Sequence, residues 1–64
     1  MRVTDYKYAI YFTWNDGSKD SIMSCDKEDR DLNIKDMLRR GDFCSIEYCY
    51  IYANGEYGRI IKVL

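Results

Sequence analysis

Apolar and polar positions alternate along "YKYAIYFTW", with Tyr6, Tyr8, Ile10, Phe12 and Trp14 on one face and Lys7, Ala9, Tyr11 and Thr13 on the other. A period of two is that of a half-buried strand. "NDGS" follows, and its Asp16-Gly17 pair is a hairpin signal, so "KDSIMS" (19–24) should return antiparallel. This second strand is polar enough to lie at an edge. A second hairpin is predicted around Asn54-Gly55, because a two-residue type I′ turn needs φ > 0 at both central positions. That loop fixes a register: Tyr52 faces Tyr57, Tyr50 faces Arg59, Tyr48 faces Ile61 and Ile46 faces Val63. Cys49 then faces Ile60, Ile51 faces Gly58 and Glu47 faces Lys62, and the opposite charges of the last pair mark the wetter face. Ile46, Val63, Tyr48 and Ile61 read as core.

Between the hairpins lies "CDKEDRDLNIKDMLRRGDF", whose apolar positions are best matched by a short helix over about 34–40. Asn33 would be its N-cap and Asp36 the partner in a capping box, with Leu32 and Met37 closing a hydrophobic staple. Arg39 and Arg40 suit the last turn, and Gly41 suits the residue after it. Ile34, Met37 and Leu38 then turn to the sheet. "DKEDRD" (26–31) is left as a charged connection, although its acids would also complement the first turn of a longer helix starting at Asp26. The expected fold is a single α+β domain, ββαββ, an antiparallel four-stranded sheet with one short helix on one face.

Composition sharpens this picture. At 64 residues the core must be thin, and one Trp, two Phe and seven Tyr are the means of packing it densely. Three cysteines, Cys25, Cys44 and Cys49, form no disulfide framework and fit a reducing, cytoplasmic setting. With no histidine and no Cys-x-x-Cys, neither a metal nor a cofactor is expected. Charges at Asp5 and Lys7 interrupt any apolar leader in "MRVTDYKYAI", and no apolar run reaches the length of a membrane span.

The same inventory points away from catalysis. Without histidine, acid–base chemistry at neutral pH needs a carboxylate or lysine with a strongly shifted pKa, and a small sheet offers little burial to shift one. The cysteines lack a histidine partner, and "NGEYG" is a hairpin, not a phosphate loop. Ten basic residues against eleven acidic ones also argue against a phosphate-tracking surface.

Protein binding remains, with two candidate surfaces. Residues 16–31 hold six acids against three bases, and Asp26, Glu28, Asp29 and Asp31 could meet a basic groove on a nucleic-acid enzyme. Tyr50, Tyr52 and Tyr57 with Arg59 gather near the hairpin tip, where arginine could stack on the rings. The rival reading of these tyrosines is that they only shield the sheet. Their use as a stacking platform for nucleic acid or a nucleotide is an alternative. Self-association through the tyrosine face or a strand edge, giving a homodimer, is another.

In its size, acidic segment and aromatic strands the chain resembles small phage- or prophage-encoded proteins that inhibit host enzymes or defence systems. The resemblance implies a stoichiometric host protein as partner, a nuclease, glycosylase or CRISPR effector, in the host cytoplasm. It transfers no residues.

Overall fold

The computed structural model describes residues 6–64. The first five residues, part of the stretch whose charges argue against an apolar leader, lie outside them. The described chain forms β1 (Tyr8–Trp14), β2 (Lys19–Ser24), α1 (Lys27–Arg40), β3 (Phe43–Tyr50) and β4 (Ile61–Lys62). The strands make one antiparallel sheet in the order β2-β1-β3-β4, so the fold is α+β and β2 is an edge. Both β2 and β3 run antiparallel to β1, hence parallel to each other. Helix α1 carries the chain between them across β1.

The alternation in β1 sorts side chains as its period demands. Ile10 and Phe12 join Ile46 and Phe43 of β3 and Ile34 and Met37 of α1 in the main core, with Trp14 and Tyr48 packed against it. A slip in the β1–β3 register between Thr13 and Trp14 places Phe43 opposite Trp14 and leaves Cys44 as the extra residue. This bulge turns both rings to the same side of the sheet. Their centroids lie 4.6 Å apart, and the Arg40 guanidinium stands over both.

The other face is drier than the Glu47–Lys62 pair suggested. Ala9, Cys49 and Ile51 are buried there under Tyr6 and Tyr11. Tyr6 lies before the first residue of β1 and packs on this side, not beside Tyr8 and Ile10.

Helix α1 is twice the length expected, and its N-cap is Asp26, not Asn33. The Asp26 carboxylate accepts the Asp29 N–H at 2.8 Å, and the Asp29 carboxylate reaches back to the Cys25 N–H at 3.4 Å. These are reciprocal caps on orphan donors, with Glu28 and Asp29 in the first turn favoured by the helix dipole. Asn33 therefore sits mid-helix, where its Nδ2 donates to the Oγ of Ser24 at 2.9 Å and so satisfies the buried serine. The end is as the sequence indicates: Arg39 and Arg40 occupy the last turn, and Gly41, at φ 71°, donates its N–H to the Met37 carbonyl. Of the three residues expected on the sheet, Ile34 and Met37 are buried while Leu38 is exposed.

Both hairpins solve their turns in one way, which is not the two-residue type I′ loop. The Gly17 N–H donates to the Trp14 carbonyl and the Trp14 N–H to the Ser18 carbonyl; Gly55, Tyr52 and Glu56 repeat this pattern. Each loop therefore has three residues, Asn15-Asp16-Gly17 and Ala53-Asn54-Gly55. Glycine alone takes the positive φ, 95° at Gly17 and 88° at Gly55, while Asn54 does not. In both, the middle side chain accepts an N–H two residues on: Asp16 from Ser18 and Asn54 from Glu56, each at 2.9 Å. The Ser18 hydroxyl also donates to Asp16, and these two bonds hold its carboxyl below the usual range.

Candidate binding surface

The three-residue loop shifts the hairpin tip by one position. Ile51 bridges Tyr57 and the Gly58 N–H donates to the Tyr50 carbonyl, whereas further from the tip Tyr48 still faces Ile61 and Glu47 faces Lys62. The return strand absorbs one extra residue between Tyr57 and Ile61. Since a slip of one exchanges faces, the expected pairs Tyr52–Tyr57 and Tyr50–Arg59 do not form. Tyr57 shares the Ile51 face, beside Tyr11, while Tyr50 and Tyr52 stand on the helix side.

The predicted tyrosine cluster is thus divided. Tyr50 and Tyr52 meet edge to face at 5.2 Å, and Tyr50 meets Tyr8 at 5.4 Å. Gly58 allows this arrangement, because a Cβ there would lie 3.3 Å from both the Tyr50 carbonyl and the Tyr52 ring. Among the described residues, Arg59 stands over no ring. The cation that stands over tyrosine rings is Arg30 of α1, 4.7 Å from the centroid of Tyr8 and 4.5 Å from that of Tyr48. Its side chain is only 13% exposed. Burial opposes its charge, but the Asp31 carboxylate, bonded at 2.8 Å, and the Tyr48 and Tyr8 phenols outweigh it and raise its pKa. Arg30 lies four residues before Ile34 and seven before Met37, so it belongs to the buried stripe of a helix begun at Asp26. That spacing was the available signal.

The four acids of the other candidate surface are not free in equal measure. Asp26 and Asp29 are occupied at the helix N-terminus, and Asp31 by Arg30. Glu28 remains, exposed beside Leu32 and Lys35 at a hollow of about 330 Å³ on the outer face of α1. They form the first turns of a helix, not a loop, and Leu32, 67% exposed, stands among them.

Apolar side chains collect instead at the β4 end of the sheet. Of the eleven exposed large hydrophobic residues among those described, seven (Tyr50, Tyr52, Tyr57, Ile60, Ile61, Val63 and Leu64) come from the end of β3, its hairpin and the β4 segment. Ile61 and Val63 had been expected in the core. They are exposed because α1 packs over β1, β2 and β3 and leaves β4 uncovered.

On the face opposite α1, a groove of about 250 Å³ runs between Tyr11, Thr13, Lys19, Ser21, Ser45 and Glu47. Partial burial first, then the Cys49 thiol and the Tyr57 phenol, push the Tyr11 phenol up to about 12. A raised pKa means that the folded state holds this proton more tightly than the unfolded chain, where it leaves near 10. The contribution of Tyr11 to stability is therefore complete below about pH 10 and declines as pH rises through about 12. Absorbance titration of the native protein should show one late phenol, which Tyr11→Phe removes. If the wild type and Tyr11→Phe titrate alike apart from amplitude, the assignment fails.

Among the described residues, no group of three or more His, Cys, Asp or Glu side chains is arranged to hold a metal ion. No helix among them is long and apolar enough to cross a membrane. Comparison with protein-family models, curated proteins and solved structures finds no match to this chain.

Proposed function

We propose that the chain is a small, non-enzymatic protein-binding module that docks a partner protein on the helix-side surface around Tyr50 and Tyr52. The observation that carries this reading is the concentration of exposed large apolar side chains at one end of the sheet. Exposed apolar side chains gathered at one end of a small domain mark an interaction site, and tyrosine is the residue type in which contact energy concentrates. Edge-to-face packing holds the rings of Tyr50 and Tyr52 in place, which lowers the entropy lost on binding. The acidic start of α1 is the lesser contributor, because three of its four carboxylates already have partners within the chain.

The resemblance to phage-encoded inhibitors makes a nucleic-acid-handling or defence enzyme of the host cytoplasm the partner class to seek. Capture from such a lysate by tagged protein, with and without nuclease, should recover one protein near stoichiometrically in both arms. Tyr52→Ala should weaken that capture about thirtyfold, the equivalent of about 2 kcal/mol for a contact hot spot, with circular dichroism unchanged. Undiminished capture by Tyr52→Ala would refute this surface; recovery only without nuclease would make nucleic acid the ligand. Self-association is the second reading, favoured by the exposed edge of β4.

A further inference from the structure

The twin hairpin turns carry different side chains at the same place. In each, the middle residue precedes a glycine of positive φ, and its Oδ1 accepts the N–H two residues on at 2.9 Å. In the first turn that residue is Asp16, and in the second it is Asn54. The difference decides which of them can react with its own backbone. The Asp16 carboxylate, kept ionised by its two bonds from Ser18, repels a nucleophile and offers no good leaving group. The Asn54 amide is neutral and can release ammonia.

We propose that Asn54 is a site of spontaneous modification, which water converts to aspartate and isoaspartate in the folded protein. The Gly55 backbone nitrogen attacks Cγ of Asn54, the Cγ–Nδ2 bond breaks, and Nδ2 leaves as ammonia with the Gly55 amide proton. The five-membered imide then takes up water. Opening at Cγ gives aspartate; opening at the main-chain carbonyl gives isoaspartate, whose backbone runs through Cγ. Gly55 has no side chain to shield its nitrogen, and a Cβ built there would meet nothing within 4 Å, so the ring has room to form. The Glu56 N–H already bonded to Oδ1 stands where negative charge gathers during the attack. Against these, the Gly55 N–H is held by the Tyr52 carbonyl at 2.9 Å and must be freed. That opening is local: residues 52–57 are exposed, the single bridge Ile51–Tyr57 backs them, and pairing with β4 resumes only at Ile61.

The other two asparagines lack this setting. Asn15 donates its Nδ2 to the Gly41 carbonyl at 3.1 Å and is followed by Asp16. Asn33 lies within α1, bonded to Ser24 and followed by the buried, branched Ile34. The reaction is a property of the turn and needs no partner at Tyr50 and Tyr52.

Incubation of the purified wild-type protein in mildly alkaline buffer, followed by isoelectric focusing and peptide mass mapping, tests the assignment. A more acidic species should accumulate, since each event adds one negative charge to a chain of net charge −1. Mapping should place the change at position 54, with isoaspartate in excess, while Asn15 and Asn33 keep their amides. The rate should rise with hydroxide concentration, because the attacking nitrogen must lose its proton. Asn54→Gln should stay folded by circular dichroism and form no acidic species, since its longer side chain would have to close a less favoured six-membered ring. An Asn54 amide still intact in the folded protein when the same chain in urea has converted overturns the inference, because the Tyr52–Gly55 bond would then seal the turn. So does conversion of Asn15 or Asn33 at the rate of Asn54, because the turn would then confer nothing.

Discussion

Ile46→Ala is expected to leave the protein largely unfolded at 25 °C. Ile46 has no exposed surface, lies opposite Phe12 on β1, and belongs to the cluster that joins β1 and β3 to Ile34 and Met37 of the helix. Truncating a buried isoleucine removes transfer free energy and leaves a cavity, together about 2–5 kcal/mol. A core of this size supplies no more than roughly 3–5 kcal/mol of net stability. The loss is thus comparable to the whole. Ile46→Val, at about 0.5–1.5 kcal/mol, should remain folded with a lowered urea midpoint. Trp14, packed on the same cluster, gives a fluorescence readout alongside far-UV circular dichroism. An Ile46→Ala protein with a wild-type midpoint would show that this cluster is not what holds the fold.

Arg30→Ala should be the costliest substitution of a charged residue in the described chain, at about 1–3 kcal/mol. The guanidinium is largely withdrawn from water and stands over two rings. A cation–π contact is worth about 0.5–1 kcal/mol when exposed and about 2 when desolvated, and the aliphatic stem adds buried area of its own. Arg30→Lys should recover only part of the loss, because an ammonium cannot lie as a plane against two phenols. The comparison that decides is Arg59→Ala. Arg59 is exposed and stacks on no described ring, so its removal should stay within about 0.5 kcal/mol. Chemical denaturation of the two variants in parallel is sufficient. Equal effects, or a larger one for Arg59, would mean that the cation over the tyrosines has been misplaced.

This contrast shows where the sequence was legible. In the β1 stretch alternation gave a strand, and in "KDSIMS" polarity gave an edge, because both depend only on which residues a pleated surface can bury. Gly41 marked the helix end for an equally local reason, the positive φ that follows the last turn. The helix start was misread. The capping logic fits Asp26 with Asp29 as well as Asn33 with Asp36, and what separates them is that Arg30 and Asn33 find partners on the sheet, at Tyr8, Tyr48 and Ser24. A charged residue in a buried stripe looks like an error until the aromatic rings that receive it are known.

The candidate site followed the same division. The tyrosines and the turn near Asn54-Gly55 were evident, yet a loop of three residues instead of two moved Tyr57 to the opposite face and removed Arg59 from the group. Sequence by itself determined the composition of this protein's surfaces: the strands, the absence of histidine, the aromatic richness and the acids near the start of the helix. Only the tertiary structure decided which of these act together. Register, bulges and the reach of one helix are collective properties, and a slip of one residue exchanges faces without changing a letter of the chain. For the same reason Ile61 and Val63, apolar and correctly placed in a strand-like segment, became exposed edge and not core: the helix that could have covered them lies over the other three strands.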